Sequence, residues 1–546
     1  MTDHQSSDAQ NLLVEQLRPI EAREREEWLD KLTDYVQKQS LISSVIEKEH
    51  IETAIQKCLR KGLDETETIF NVINTFNVPR FTFSIETKKF TKVCNTSPQQ
   101  LFAPPRAKAF LFRDRYTILH QRTARHELFT PTIMGTDRAN SNRKFKLRPV
   151  EFLLSSSGRL NEVIVLGLLT QLREGRYFLE DPSGIVQLDM YHTGLHCENC
   201  FVLAEGWYED KIFHIQGVGF PPPEPSKSSR AYYGNANTFG GPSIVSLKSS
   251  TKLLQHEKGN EDSMIVFLAD VWLDHFKVME KLRQLFQGYS EFPPVAFVLM
   301  GNFLSSQHGS FHSSLLKTHL RALADLILQF PEIVDKSKFV LIPGPTDPAS
   351  PNILPRPNIP RYITSEFLDK IPGAVFGSNP CRLQYCTQEI VVLREDMVTK
   401  MCRNTIHFPE AGEIADHCRV SDTSLHIRSK RDAQPTVLIG QESAPKPPTP
   451  LKDHRCKQQF TKTILCQAHL APLPLAVCPI YWAHDTAMQL YPLPDLVVVA
   501  DQFNAFTASY MDCIVTNPGS FPKSDFSFKV YVPSSRQVED SQLPTE

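Results

Sequence analysis

The chain has 546 residues, of which 41% are hydrophobic and 22% are charged. This composition is ordinary for a globular protein of two to four domains. It contains no run of about 18 apolar residues that would predict a membrane span, and the polar, acidic first twenty residues argue against a secretory signal. The formal net charge of −2 argues against a protein that holds duplex DNA alone, because such proteins are more often basic. Any nucleic-acid role is expected to be local or shared with a partner.

Twelve cysteines are scattered along the chain. The one close pair is Cys197 and Cys200, and no second pair follows at the spacing that a zinc ribbon needs. We therefore predict reduced thiols in a cytosolic or nuclear protein, with no metal or other cofactor.

The N-terminal region has the pattern of helices. Leu29, Leu32 and Val36 recur at the spacing of one helix face. Ser44 and Glu47 form a capping box, which predicts the start of a further helix.

Asp64 and Glu67 repeat this type of helix start before the apolar residues of 69–73. The pattern predicts a helical docking domain over residues 1–80.

Residues 81–150 are interpreted as a connecting region. Short strands are predicted at its aromatic residues Phe81, Phe83 and Phe90. A basic stretch follows, and it could contact phosphate or form a solvated helix face; it comprises Arg113, Arg115, Arg122 and Arg125, with Tyr116 and Phe129 nearby.

The pattern changes to short strands over residues 151–235. Four apolar segments predict five strands, two of them joined by a Pro-Ser-Gly turn: 162–169, 177–190, 201–208 and 211–216. Five short antiparallel strands in this length predict an OB-type barrel.

Barrels of this type often bind single strands through exposed aromatic rings. The candidates are Tyr177, Phe178, Tyr191, Trp207 and Tyr208. Filling of the barrel or of a protein interface is the preferred interpretation of most of these rings, and nucleic-acid binding is the alternative.

Residues 255–546 alternate between strands and helices, which predicts an α/β domain. The five apolar strand runs are typical of strands buried on both faces: 264–269, 294–300, 338–342, 390–393 and 496–499. Leu316, Leu320, Leu323, Ile327 and Phe330 predict one helix packed on the sheet. The Pro-rich, charged residues 409–458 predict a disordered insert.

Turns with polar residues follow four of these strands. They contain Asp270 and Trp272, Asn302, the run Pro345-Thr346-Asp347, and Asp501 and Phe503. The carboxyl ends of such strands carry the chemistry of α/β folds, so we expect these turns to converge at one sheet edge.

The four turns resemble those of the calcineurin-like metallophosphoesterase fold, whose motifs are Asp-x-His, Gly-Asp, Gly-Asn-His and Gly-His-x-His. The resemblance implies that Asp270 survives, that Trp272 and Asn302 replace a histidine and the bridging aspartate, that Pro345 and Thr346 replace Asn-His, and that Asp501 and Phe503 replace both late histidines. Trp, Pro and Phe offer no lone pair to a divalent cation, and a neutral amide cannot compensate its charge. We predict that the two-metal site is lost and that the remaining acids cap turns or helices.

An N-terminal helical module, an OB barrel and a degenerate phosphoesterase domain together resemble the B-subunits of replicative DNA polymerases. Segments 268–274, 339–348, 467–473 and 517–521 are similar to those of the epsilon branch of that family. The overall fold is therefore predicted to be multidomain α+β. His469, in the third of these segments, is predicted to be a hydrogen-bonded structural histidine.

The resemblance implies a non-enzymatic accessory subunit that acts in DNA replication in the nucleus. It implies binding to the C-terminal region of the polymerase epsilon catalytic subunit, with small histone-fold subunits and the replicative helicase assembly as further partners and with DNA contacted through the complex. Two alternatives stay open: a divergent metal-dependent phosphodiesterase, and an OB-fold protein that binds single-stranded DNA.

Overall fold

The computed structural model describes residues 67–93, 100–130, 145–173, 175–190, 198–348, 352–405 and 450–544, together with residues 13, 25, 29, 32, 33, 36 and 48–59 near the N-terminus. Among these residues, no helix combines the length and apolarity needed to cross a lipid bilayer. The predicted capping box at 44–47, Tyr191, Cys197 and most of the predicted insert lie outside the described residues.

The N-terminal helical stripe is confirmed. Leu32 and Val36 are helical and almost fully buried. They pack against Ile51 and Ala54 of helix α1 (Lys48–Leu59). Apolar residues at helical spacing on both segments thus bury each other in a small cluster.

The predicted helix over 69–73 is wrong. Phe70–Asn74 forms strand β1, which pairs in antiparallel register with a strand more than 300 residues away, Phe70 opposite Tyr385. Glu67 does not begin a helix and instead accepts a hydrogen bond of 2.6 Å from Ser250 Oγ. The β-branched residues Val72 and Ile73 fit this pleated position, and tertiary pairing overrides the local pattern.

The connecting region contains a hairpin and a long helix. Strands β2 (Phe81–Ser84) and β3 (Lys89–Lys92) pair with each other, which confirms the predicted short strands. Helix α2 (Arg106–Arg125) follows, and Arg115 and Arg122 on it are only 5% and 2% exposed. Neither a solvated face nor a phosphate contact is correct for these two arginines, because both are bonded within the interior.

The predicted OB barrel is present. Strand β4 (Leu147–Arg148) and helix α3 (Val150–Leu154) precede its five strands, which are β5 (Leu160–Arg173), β6 (Arg176–Asp181), β7 (Gly184–Met190), β8 (Phe201–Glu209) and β9 (Ile212–Gly219). The barrel closes in the order β5-β6-β7-β9-β8, with β8 returning to β5. The β7–β9 pair is parallel, which corrects the prediction that all strands are antiparallel.

The α/β region contains two six-stranded sheets rather than one. The strands of the first sheet are β10 (Ile265–Ala269), β11 (Ala296–Met300), β12 (Lys338–Ile342), β13 (Val375–Phe376), β19 (Ser527–Val532) and β20 (Gln537–Gln542). They lie in the order β13-β12-β11-β10-β19-β20.

The second sheet contains β1 and five further strands, which are β14 (Cys381–Tyr385), β15 (Gln388–Arg394), β16 (Leu496–Ala500), β17 (Phe506–Tyr510) and β18 (Cys513–Asn517). They lie in the order β1-β14-β15-β16-β18-β17. Phe267 and Val340 of the first sheet and Val392 and Val498 of the second share one fully buried layer. Strands apolar on both faces are therefore explained by a sandwich with an outer layer on each side.

Helices cover the sandwich and lie in its connections. They are α4 (Ser226–Arg230), α5 (Thr251–Gly259), α6 (Phe276–Tyr289), α7 (His312–Ile327), α8 (Pro331–Lys336), α9 (Arg361–Lys370), α10 (Met397–Arg403) and α11 (Pro450–Cys466). The predicted helix at 316–330 is confirmed, with Phe330 just beyond its end. Residues 450–458 of the predicted disordered insert are helical, because α11 begins there and continues into a buried face at Phe460 and Ile464.

Candidate functional site

The polar turns after β10, β11 and β12 meet at the carboxyl edge of the first sheet, as predicted. The fourth turn, at Asp501, follows β16 of the second sheet, so the prediction of one common edge is wrong for this turn. The backbone N–H of Asn302 donates to Asp270 Oδ1 at 3.3 Å, and the N–H of Thr346 donates to Asn302 Oδ1 at 3.0 Å. Strand parallelism brings these turns side by side, since β10, β11 and β12 are neighbours in register.

Arg394, the last residue of β15, extends from the second sheet into this group of turns. Its Nη2 and Nε donate to Asp270 Oδ1 at 2.6 and 3.2 Å, and Nε also donates to the Gly301 carbonyl at 2.7 Å. The exposed fractions of the Arg394 and Asp270 side chains are 0% and 1%. The pair is therefore a fully buried ion pair between the two sheets.

The outer end of the same guanidinium bonds to the turns of the second sheet. Nη1 donates to Asp396 Oδ1 at 3.0 Å and to the Ala500 carbonyl at 3.2 Å. Burial by itself would lower the pKa of Arg394, but the charges of Asp270 and Asp396 raise it above its usual range. The group is thus a fixed cation with carboxylates on both sides.

Asp347 closes the pocket on the side of the first sheet. Its two carboxylate oxygens accept from the N–H groups of Phe303 at 2.9 Å and of Gly344 at 2.8 Å. Burial raises the pKa of Asp347 to about 6. A Cβ at Gly301 would lie 1.9 Å from Asp347 Oδ2, so the close approach of these turns requires glycine there.

Asp501 stabilises a turn and a helix start. Its Oδ1 accepts from Phe503 N–H at 2.8 Å, and its Oδ2 accepts from Val398 N–H in the first turn of α10 at 2.9 Å. Burial raises the pKa of Asp501 to about 6. This agrees with the expectation that the remaining acids cap turns and helices.

The aromatic replacements belong to the packing of the domain. Trp272 is partly buried against the core of the first sheet, and its ring lies 5.5 Å from Lys523 Nζ. Phe503 packs in the same way against the outer layer of the second sheet.

The donor set does not fit a pair of divalent cations. Asp270 Oδ1, Asn302 Oδ1 and both oxygens of Asp347 accept hydrogen bonds from protein N–H groups, and the guanidinium of Arg394 occupies the space beside Asp270. Two metal ions need several anionic or imidazole ligands free to bind them. Among the described residues, no group of three or more His, Cys, Asp or Glu side chains is placed to hold a metal ion. In this part of the described structure one carboxylate oxygen, Asp270 Oδ2, is buried without a hydrogen-bond partner. A single oxygen is too few to hold two divalent cations.

Sequence analysis missed Arg394. The available signal was its position: a charged residue directly follows the apolar run 390–393, at the strand end where other strands carry the polar turns. An arginine there has either to reach solvent or to find buried carboxylates.

His469 lies apart from this pocket. Its Nδ1 accepts from Ala471 N–H at 3.0 Å, and its Nε2 is 3.2 Å from Asp485 Oδ1, which also pairs with Arg115 at 2.5 Å. Burial first, and then the charge of Arg115, lower the pKa of His469. The prediction of a hydrogen-bonded structural histidine is confirmed.

The described aromatic residues of the barrel differ in their burial and in their neighbours. Tyr208 is 3% exposed in the barrel core, and Tyr177 packs partly buried against that core. Trp207 stacks on His214 at 5.0 Å, with the guanidinium of Arg159 5.8 Å from its ring. Cys200, the described member of the cysteine pair, is buried with its Sγ 3.6 Å from the Pro472 carbonyl.

An OB barrel followed by a two-sheet α/β sandwich is the arrangement of the accessory B-subunits of replicative DNA polymerases, and family models of that class match this chain. Three family models match the chain in this order of parts. "DNA polymerases epsilon N terminal" matches residues 5–58, and "DNA polymerase epsilon subunit 2-like, OB-fold domain" matches 105–222. The model for the B-subunits of DNA polymerases alpha and epsilon matches 265–508.

Comparison with named relatives identifies the family within this class. The chain is 49% identical to human DNA polymerase epsilon subunit 2 over 539 residues, covering 97% of this chain and 94% of the relative, and 43% identical to the Drosophila melanogaster protein of that name, covering 99% and 95%. A solved archaeal phosphodiesterase is 9% identical, with 51% of this chain and 99% of that chain covered and a TM-score of 0.24. The chain belongs to the DNA polymerase epsilon subunit 2 family, which confirms the predicted accessory subunit of the polymerase epsilon complex.

Proposed function

We propose that this protein is a non-catalytic scaffold of the polymerase epsilon complex in the nucleus and that its former metal pocket now has a structural role. The observation that carries the proposal is the buried Arg394–Asp270 pair, in which a guanidinium bonds to the carboxylate that would otherwise hold a metal ion. A permanently charged arginine cannot exchange for a catalytic ion and cannot activate water. The contribution of the fold to the complex is then a rigid surface that binds other subunits.

Helix α2 supports this rigidity, because its buried arginines bond to separate parts of the molecule. Arg115 makes two hydrogen bonds of 2.5 and 3.0 Å to Asp485 in the sandwich region. Arg122 donates to the carbonyls of Cys466 at 2.5 Å and of Pro221, at the end of the barrel, at 3.2 Å.

The barrel is also bonded directly to the sandwich. The amide of Gln467 accepts from Phe201 N–H at 2.7 Å and donates to the Phe201 carbonyl at 2.8 Å, like an added strand residue beside β8. Arg230, beyond the barrel, pairs with the almost buried Glu389 of the second sheet. Since these contacts are desolvated and specific, barrel and sandwich are expected to act as one body.

We assign a binding partner to each region of the chain. The barrel and the sandwich together form the platform for the C-terminal region of the catalytic subunit. The N-terminal helical segment is a separate docking module for the helicase assembly or for the small histone-fold subunits. The predicted domain division is retained with one change, since residues 67–80 join the platform through β1.

The test is affinity purification of the tagged full-length chain from nuclear extract, followed by identification of the bound chains. We expect the catalytic subunit in equimolar amount, unaffected by Asp347→Asn, which alters the pocket. The matched binding control is a version without residues 1–66, which should keep the catalytic subunit and lose other partners. Recovery without the catalytic subunit, or its loss on removal of 1–66, would contradict the assignment.

A further inference from the structure

The hairpin and the start of helix α2 carry an unusual concentration of exposed positive charge. In residues 80–93 and 100–113 the exposed charged side chains are one carboxylate, Glu86, and six cations. The six cations are Lys88, Lys89, Lys92, Arg106, Lys108 and Arg113. In a chain with a net charge of −2, this is a local excess that the rest of the surface balances.

These cations are not used to hold the fold together. Across the described part of the chain, none of the six is in an ion pair, whereas the neighbouring Arg80 is paired with Asp114 at 2.6 Å. The first turn of α2 holds no acidic residue, although an acid there would favour the helix. Unpaired like charges repel one another and cost stability, so a selective benefit other than folding is implied.

We call five of the six cations the basic face: Lys88 and Lys89 at the turn of the hairpin, Lys92 at the end of its second strand, and Arg106 and Arg113 on one side of α2. On the helix, positions 106 and 113 are two turns apart on the same side. The Arg80–Asp114 ion pair links the hairpin to α2. Asp114 directly follows Arg113 in the helix. The Arg80 carbonyl accepts from the N–H of Val93, which directly follows Lys92.

Aromatic rings lie among these charges. Phe110 is 37% exposed and is located between the two arginines, with the guanidinium of Arg106 5.2 Å from its ring centre. Phe102, just before α2, is 76% exposed, and its ring centre lies 5.6 Å from that of Tyr481 in an edge-to-face arrangement. Exposed rings beside unpaired cations are the combination that binds single strands, because rings stack on bases while cations contact phosphates.

We propose that the basic face binds single-stranded nucleic acid, with Lys92, Arg106 and Arg113 on the phosphates and with Phe102 and Phe110 on the bases. The site does not include Trp207 of the OB barrel, whose ring stacks on His214. An acidic protein segment is the competing occupant. Its carboxylates would pair with the cations, but they would not stack on the two exposed rings. The proposal does not depend on the scaffold function.

The test measures fluorescence anisotropy of a single-stranded oligothymidine with the full-length chain at several salt concentrations. In the triple variant Lys92→Glu/Arg106→Glu/Arg113→Glu we expect at least about tenfold weaker binding and a salt slope smaller by about 2, since each phosphate contact on a single strand contributes about 0.7. Phe102→Ala/Phe110→Ala should weaken binding without changing the slope. The thermal unfolding of each variant establishes that it is folded.

Two matched controls separate the site from general charge and from the barrel. Lys108→Glu reverses the same type of charge at a position about 200° around the helix from Arg106. This variant should weaken binding far less than the triple variant. Trp207→Ala should leave binding unchanged. The proposal is overturned if the chain shows no salt-dependent binding, if the triple variant binds like Lys108→Glu, or if polyglutamate displaces the oligonucleotide at equal charge concentration.

Discussion

Arg394 and Asp270 form a buried ion pair across the two sheets, with Nη2 and Oδ1 2.6 Å apart and the residues 124 positions apart in the chain. The pair explains how the fold keeps the Asp270 carboxylate in its interior, where the side chain is 1% exposed. A buried charge is tolerated when a partner and further hydrogen bonds satisfy it.

Removing only the arginine should be strongly destabilising. We expect Arg394→Ala to lower the free energy of unfolding by about 3–5 kcal/mol, because Asp270 is left buried and unpaired. The double variant Asp270→Asn/Arg394→Met removes both charges and should be more stable than Arg394→Ala. Urea unfolding followed by tryptophan fluorescence measures both, and a double variant no better than the single one would refute the pairing.

The raised pKa of Asp501 predicts a pH effect. Its folded-state pKa of about 6 exceeds its ordinary value of 3.8, so the folded state binds the proton more tightly. Stability from this group is therefore lost as pH rises between about 4 and 6, by roughly 3 kcal/mol over the two units.

Replacing this carboxyl tests the effect. Asp501→Asn should be less stable than the wild type at pH 4, where both side chains are neutral, because one accepted N–H bond is lost. The difference should shrink by pH 7, when the wild type has to ionise a buried group. Urea titrations at both pH values provide the measurement, with the exposed Asp525→Asn as control. A gap that widens with pH would contradict the assignment.

Two arginines two positions apart on α2 provide a matched pair. Arg115 is buried with Asp485, and Arg113 is exposed. Arg115→Met should cost about 3–5 kcal/mol by leaving Asp485 uncompensated, whereas Arg113→Met should change stability by less than about 0.5 kcal/mol. Equal effects in thermal or urea unfolding would mean that α2 does not fasten the barrel to the sandwich.

The position of β1 sets the limit for truncation. Removing residues 1–66 should leave the platform folded, with an unfolding midpoint close to that of its full-length counterpart. Removing 1–75 also takes away β1 and its pairing with β14, which exposes a sheet edge and should lower the midpoint and promote aggregation. Differential scanning calorimetry and light scattering distinguish the two; equal behaviour would show that β1 is dispensable.

Much of the fold followed from local patterns. The apolar runs 264–269 and 338–342 became strands, and helix α7 buries the predicted leucines, because burial on both faces or on one face leaves a direct trace in the sequence. The polar turns at Asp270 and Asn302 could likewise be predicted to meet, since parallel neighbours end at one edge.

The errors arose where distant residues decide the outcome. β1 is a strand because β14 offers it an edge, and Arg115 is buried because Asp485, 370 positions later, neutralises it. Nothing local distinguishes Arg115 from the exposed Arg113. For the same reason Arg394 was overlooked: an arginine after an apolar run acquires its meaning only from the carboxylates that surround it in three dimensions.

Manganese binding tests most directly the proposal that the Arg394–Asp270 pair leaves no site for a pair of metal ions. Electron paramagnetic resonance of the full-length chain titrated with Mn²⁺ counts the bound ions. We predict that the wild type and Asp270→Asn give the same signal of free manganese, with no ion bound at this pocket. Two ions bound per chain and released by Asp270→Asn would contradict the account.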